Sequence, residues 1–160
     1  MRTHQRTSLP RRFERQYSVN VKPNIYLTRV VTEDLVRRGL PGSVVHISSQ
    51  SSTLPLAEHV VYSSSKAAVD HVARVQALEL GGHNIRVNSV RPTVVMTEMG
   101  RKAWPRDKLK VMEETIPMRR LAEPDDVACA CVWLLSDLAS LVTGASLPVD
   151  GGRSMGGHGL

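Results

Sequence analysis

Cysteine is scarce. Cys129 and Cys131 are the two in 160 residues, too few for a disulfide framework. Two positions apart on a helical pattern, they point to different faces and cannot form a normal bridge, so a reducing compartment is expected. Aromatic residues make up 4% of the chain, with one Phe, which leaves few stacking platforms for a nucleic acid. Apolar runs such as Val132-Trp133-Leu134-Leu135 fall far short of the ~20 residues of a bilayer span, so no transmembrane segment is expected. The six histidines show no metal-ligand spacing, and no metal site is expected.

What remains has the composition of one globular domain, 41% apolar and 22% charged with 11 Gly and 9 Pro. The net charge of +6 is local: five arginines stand against the single Glu14 in the first 15 residues, so four of the six excess charges sit there. Residues 1–12 read as a basic, disordered tail. Their hydroxyls and lack of acids also match a mitochondrial address, the alternative to a cytoplasmic location. Residues 13–152 form the domain, and 153–160 a glycine-rich tail.

Along the domain, Leu27, Val30, Val31 and Leu35 predict a buried stripe on a helix over residues 13–38, bent at Pro23 and stopped by Gly39. Residues 43–48 are short, β-branched and nearly all apolar, as expected of a strand covered on both faces. A helix over 59–81 follows, with Val69, Val72 and Val75 or Gln76 along one side, then a strand over 84–90 ended by Pro92. Residues 93–124, broken by Pro105 and Pro117, read as a flap with short helices, where Met96, Met99, Met112 and Met118 fill gaps. Pro124-Asp125-Asp126 opens a helix running to Leu135, with its acids where the macrodipole favours them, and 146–149 is a last short strand. Alternating strands and helices predict an α/β fold with a parallel sheet of about three strands.

Ligands of such sheets bind beyond the carboxyl ends of the strands, which directs attention to Ser48-Ser49 and to Pro92-Thr93-Val94-Val95-Met96-Thr97. In Tyr62-Ser63-Ser64-Ser65-Lys66 the phenol and the amine are four apart and share a helix face. A cation beside a phenol favours the phenolate, so Tyr62 can donate its proton near neutral pH. Ser49 lies thirteen residues before Tyr62, and Asn20 lies near the expected bend. With these four positions the sequence resembles the short-chain dehydrogenase/reductase family. Asn88-Ser89-Val90-Arg91-Pro92-Thr93 and Thr143-Gly144-Ala145-Ser146-Leu147-Pro148-Val149-Asp150-Gly151-Gly152 are similar to later stretches of that family.

The resemblance implies the C-terminal part of a Rossmann-like doubly wound sheet and a carbonyl or sugar reductase using NADP(H), with NAD as the alternative. It implies that Ser49 polarises the substrate carbonyl and Tyr62 protonates the alkoxide. Lys66 would tune Tyr62 and bind the nicotinamide ribose, and Asn20 would hold a water. Cofactor contacts are then expected from Tyr62, Lys66, Pro92, Val94, Val95 and Thr97, and a homo-oligomer, a tetramer in the family, is implied. Gln50 and His59 flank Ser49 and Tyr62, and Trp104 sits on the flap; all three are substrate-pocket candidates beside Ser49. His59 is equally placed to start the helix and Trp104 to anchor the flap.

Dinucleotide folds cradle the pyrophosphate in a glycine-rich turn before a helix, and no such element is present here. The expectation is a truncated product that keeps the catalytic part. It is either an oxidoreductase impaired by the loss or a non-catalytic fragment that associates with full-length subunits through the helices over 13–38 and 59–81.

Overall fold

A computed structural model describes residues 8–156. Residues 1–7 and 157–160, which belong to the two expected tails, lie outside the described residues. Helix α1 spans Leu9–Asn20 and α2 spans Lys22–Arg38. The bent helix expected over 13–38 is therefore two helices, and the interruption falls at Val21. Pro23 sits in the first turn of α2, where its missing N–H is harmless because first-turn amides have no partner within the helix. The start moves back from Phe13 to Leu9, with Pro10 likewise in a first turn.

Three of the four residues of the stripe expected to be buried on α2 face outward, Leu27, Val30 and Val31 being 65%, 67% and 54% exposed, while Leu35 is half-buried beside Gly42. Thr28 and Thr32 turn inward instead. Thr32 Oγ1 donates to Thr28 O at 2.8 Å, so the helix satisfies this hydroxyl internally and can pack a polar face inward. Gly39 stops α2 at φ 64°, and Leu40 N closes on Leu35 O at 2.9 Å, a left-handed cap for which glycine carries no steric penalty.

Strands β1 (Gly42–Ile47), β2 (Ile85–Pro92) and β3 (Ser146–Val149) form a parallel sheet in the order β1-β2-β3. His46 pairs with Ser89, Ile47 with Val90, and Ser89 with Ser146. Pro92 is the last residue of β2 and not its terminator, which is tolerated where a strand ends. Helix α3 (Val60–Leu80) packs on β2 and β1. Its inward residues are small: Ala73 and Ala77 meet Val87 with Val44 and Leu80 around them, so the helix lies close to the sheet. Val69 is fully buried but Val75 is 40% exposed, so the expected apolar side of α3 is inward only in part.

The flap holds α4 (Glu98–Ala103) and α5 (Arg106–Glu114). Helix α6 (Pro124–Leu135) covers the other sheet face, started by a reciprocal cap between Glu123 and Asp126. At its far end Arg86 donates to the carbonyls of Leu134 and Ser136 at 2.7 and 3.1 Å, satisfying acceptors that a helix terminus leaves open. No helix of the described residues is long and apolar enough to cross a membrane.

Candidate active site

The carboxyl ends of β1 and β2 and the first turns of α3 converge. Ser48 N donates to Val90 O at 2.8 Å, which prolongs the ladder by one residue. Ser48 Oγ then donates to the Lys66 carbonyl at 3.0 Å. Lys66 Nζ returns the connection by donating to Ile47 O at 2.9 Å. The ammonium also stands 5.9 Å from the centre of the Tyr62 ring, within cation–π range. Burial pushes the Lys66 ammonium below its ordinary value, and the charge of Asp70 opposes that push. Nζ has three donors, so the bond to Ile47 leaves capacity for another acceptor.

Ser49 is buried in an extended conformation and caps a short 3₁₀ turn over Gln50–Ser52. Its Oγ accepts from Ser51 N at 3.2 Å and from Ser51 Oγ at 3.0 Å. A hydroxyl has two acceptor sites and one donor, so Ser51 fills the accepting capacity of Ser49 and leaves its O–H to donate. That is the polarity needed to polarise a carbonyl oxygen. Among the described residues no hydrogen bond joins Ser49 to Tyr62; the 3₁₀ turn that Ser49 caps packs on α3, the helix that carries Tyr62.

Asn20 is the last residue of α1. Its Nδ2 donates to Gln16 Oε1 and to Ser65 Oγ, both at 2.9 Å, and Ser65 Oγ donates to the Tyr62 carbonyl at 2.7 Å. Asn20 is thus clasped to the Tyr62–Lys66 turn, with both amide hydrogens used and Oδ1 left as an acceptor.

His59 caps the start of α3. Its Nδ1 lies 2.7 Å from Ala57 O; a carbonyl can only accept, so Nδ1 carries the hydrogen and Nε2 is the acceptor in the neutral ring. The His59 ring stands edge-on to Tyr62 with centres 6.4 Å apart. Gln50 is 4% exposed, and its Oε1 has no partner among the described residues. No hydrogen bond or ring contact among them joins Trp104 to Ser49 or Tyr62; Trp104 closes α4, its amide donating to Gly100 O at 3.3 Å.

Beyond β2 the chain is pinned to the flap. Val94 O accepts from Ala122 N at 3.2 Å, Val95 bridges Ala122, and Thr97 caps α4 by accepting from Gly100 N at 3.0 Å. Pro92 is thus held by pairing with Val149 on β3, Val94 and Val95 by the bridge to Ala122, and Thr97 by its cap on α4. Thr93, 8% exposed, has an Oγ1 without a partner among the described residues and lines a cavity of about 400 Å³ with Ala122, Val149 and Asp150; neither Ser49 nor Tyr62 lines it. Sequence reasoning missed Ser51, Ser65 and Asp70, and singled out Ser48 only as part of the loop with Ser49. Their signal lay in the serine runs around Ser49 and Tyr62 and in an acid one helical turn after Lys66.

A family model described as enoyl-(acyl carrier protein) reductase matches residues 5–154. An L-xylulose reductase of Caenorhabditis elegans is 52% identical over 142 residues, covering 88% of this chain and 57% of that protein. One of Mesocricetus auratus is 46% identical over 141 residues, covering 88% and 58%. The chain thus spans less than two thirds of the length of the curated relatives it matches. Among solved structures, a 7α-hydroxysteroid dehydrogenase complexed with NADH and 7-oxo glycochenodeoxycholic acid superposes with a TM-score of 0.86 at 33% identity, over 91% of this chain and 56% of that one.

Proposed function

The chain belongs to the short-chain dehydrogenase/reductase family, and from that premise we propose that its site serves NAD(P)H-dependent reduction of a dicarbonyl or sugar such as L-xylulose to the alcohol. The observation that carries this reading is the Lys66 ammonium, bonded to the end of β1 and 5.9 Å from the Tyr62 ring. Ser49, its accepting capacity filled by Ser51, donates to the carbonyl oxygen. Tyr62 gives its proton to that oxygen as the C–O bond becomes single, and the Lys66 charge favours the phenolate left behind. Asn20 Oδ1 holds a water that returns a proton to Tyr62.

Two buried acceptors, Gln50 Oε1 and Thr93 Oγ1, and the spare donors of Lys66 fit the polar nicotinamide–ribose end of a dinucleotide. Tyr62, Lys66, Pro92, Val94, Val95 and Thr97 would hold it, NADP(H) being the first choice and NAD the second. Bound there, the dinucleotide supplies the hydride that becomes the new C–H bond. Gln50, His59 and Trp104 would shape the substrate pocket.

Copies of the chain associate through α2 and α3, a tetramer being the expected assembly. An apolar groove of about 740 Å³ runs between these helices, lined by Ile25, Val36, Val72 and Val75 with Arg29 and Glu79 at hand. The exposed Leu27, Val30 and Val31 extend this unpartnered surface. A reducing compartment, the cytoplasm, is the proposed location.

Calorimetric titration with NADPH and with NADH, followed by reduction assays on L-xylulose and diacetyl, tests the proposal. Binding with turnover that Tyr62→Phe abolishes is the expected result. Null titrations with both dinucleotides overturn catalysis by this chain. They favour the second reading, a non-catalytic partner of full-length family subunits, which the same exposed α2 surface supports and which native mass spectrometry of mixtures would detect.

A further inference from the structure

The structure assigns to Asp70 a positioning role: a buried carboxylate, held by Ser89, which Ser146 holds in turn, that keeps the positive charge of Lys66 at the end of β1. The inference rests on the reading of Tyr62 and Lys66 as a proton-delivering pair. Asp70 lies one helical turn after Lys66 on α3 and is 3% exposed. Ser89 Oγ donates to Asp70 Oδ1 at 2.7 Å and lies 2.7 Å from Ser146 Oγ. One hydroxyl from β2 and one from β3 thus line up behind the carboxylate, and Ser89 is itself fully buried.

A carboxylate this deep is rare without a charge partner, and two neutral hydroxyls orient the group without balancing it. Lys66 is the cation one turn away. On an exposed helix a cation followed by an acid at four residues is the weaker order, so helix stabilisation is a poor account of the pair. The helix that carries Lys66 presents the Tyr62 ring and Asp70, and β1 presents the neutral Ile47 carbonyl. On β2, two guanidinium nitrogens of Arg91 donate to Thr53 Oγ1 at 3.2 Å and to Ser146 O at 3.0 Å, and its Nε has no partner among the described residues. Asp70 is the one anion in this set, and it counters the burial that would otherwise strip the proton from Lys66. Losing the proton would remove the charge that favours the Tyr62 phenolate.

The test is an NMR titration of the Lys66 side-chain carbon resonances in this chain. Asp70→Asn keeps an oxygen for Ser89 to donate to and removes only the charge. The Lys66 midpoint is expected to fall by about one pH unit, whereas Ser89→Ala, which keeps the carboxylate, moves it less. An unchanged midpoint in a folded Asp70→Asn variant overturns the role. Should that variant not fold, Asp70→Ser decides: it too removes the charge, so the Lys66 midpoint falls by a similar amount, and a midpoint that stays put overturns the role. Neither titration needs a dinucleotide or turnover. An inactive chain therefore leaves the assignment standing, and an unmoved midpoint removes it even from an active one.

Discussion

Acidification through the histidine range is expected to loosen the joint between β1, α2 and α3 through one side chain. His46 is 4% exposed on β1, and its Nε2 lies 2.8 Å from Gln76 Oε1. Gln76 Nε2 in turn donates to Asn24 O on α2 at 3.1 Å, so the imidazole anchors a bridge across three elements. Burial pushes His46 below the ordinary histidine value, and the bond to Gln76 opposes it without winning. The folded chain therefore binds this proton more weakly than the unfolded chain does. Stability from this group is complete above about pH 6.5 and declines as the pH drops from there toward the folded-state value. One proton limits the slope to about 1.4 kcal/mol per pH unit. With a urea dependence of about 1.5–2 kcal/mol per M for a chain of this size, the unfolding midpoint moves by at most roughly 0.7–0.9 M per unit. Urea unfolding followed by circular dichroism from about pH 5 to 8, on the wild type and on His46→Gln, measures it. Two results refute the reasoning: a wild-type midpoint flat below pH 6.5, or the same slope in the variant that lacks the imidazole.

Three further outcomes are expected. Asn88, wholly buried, donates to Val142 O at 2.9 Å and accepts from Ala145 N at 3.0 Å. Asn88→Leu strands both main-chain groups and should cost about 2–6 kcal/mol in chemical denaturation. Gly151 has φ +63°, and an added Cβ would lie 2.6 Å from Ile116 Cγ2, so Gly151→Ala should cost about 1–3 kcal/mol beyond backbone strain. Gly39→Ala, at φ +64° with nothing within 4 Å, should cost only the strain, and equal losses would show that the contact with Ile116 is not the cause. In a reductase assay Ser49→Ala should lower turnover by about 10²–10³. Ser51→Ala should lower it less, because Ser49 keeps its donor and loses only its orientation; equal activity in Ser51→Ala and wild type would separate Ser51 from the site.

The strands were legible because their signals are local. Residues 146–149 agree with β3, and 43–48 with β1 to within one residue, since short β-branched runs between turn residues leave few alternatives. The α/β class and the family followed from motifs on those strands and on α3. The interior of α2 was not legible: periodicity reports which side chains share a face, not which face the domain covers, and Thr28 with Thr32 took the inward side. The divide at Val21 was missed because Pro23 was weighed as a bend inside a helix and not as a first-turn residue. At the site, Ser49, Tyr62 and Lys66 were visible as a spaced set. Their bonding was not, because Ser51, Ser48 and Asp70 act through atoms that only the folded chain brings into contact.

The reciprocal bonds between the strand end and the helix, Ser48 hydroxyl to Lys66 carbonyl and Lys66 ammonium to Ile47 carbonyl, close a ring through covalent and hydrogen bonds alike. Neither segment can fray without the other, so they form a single cooperative opening unit. The amide proton of Ser48, bonded to Val90 O, belongs to that unit although it takes no part in chemistry. Its deuterium-exchange rate is therefore a gauge of whether the phenol and the amine are held together in a given sample.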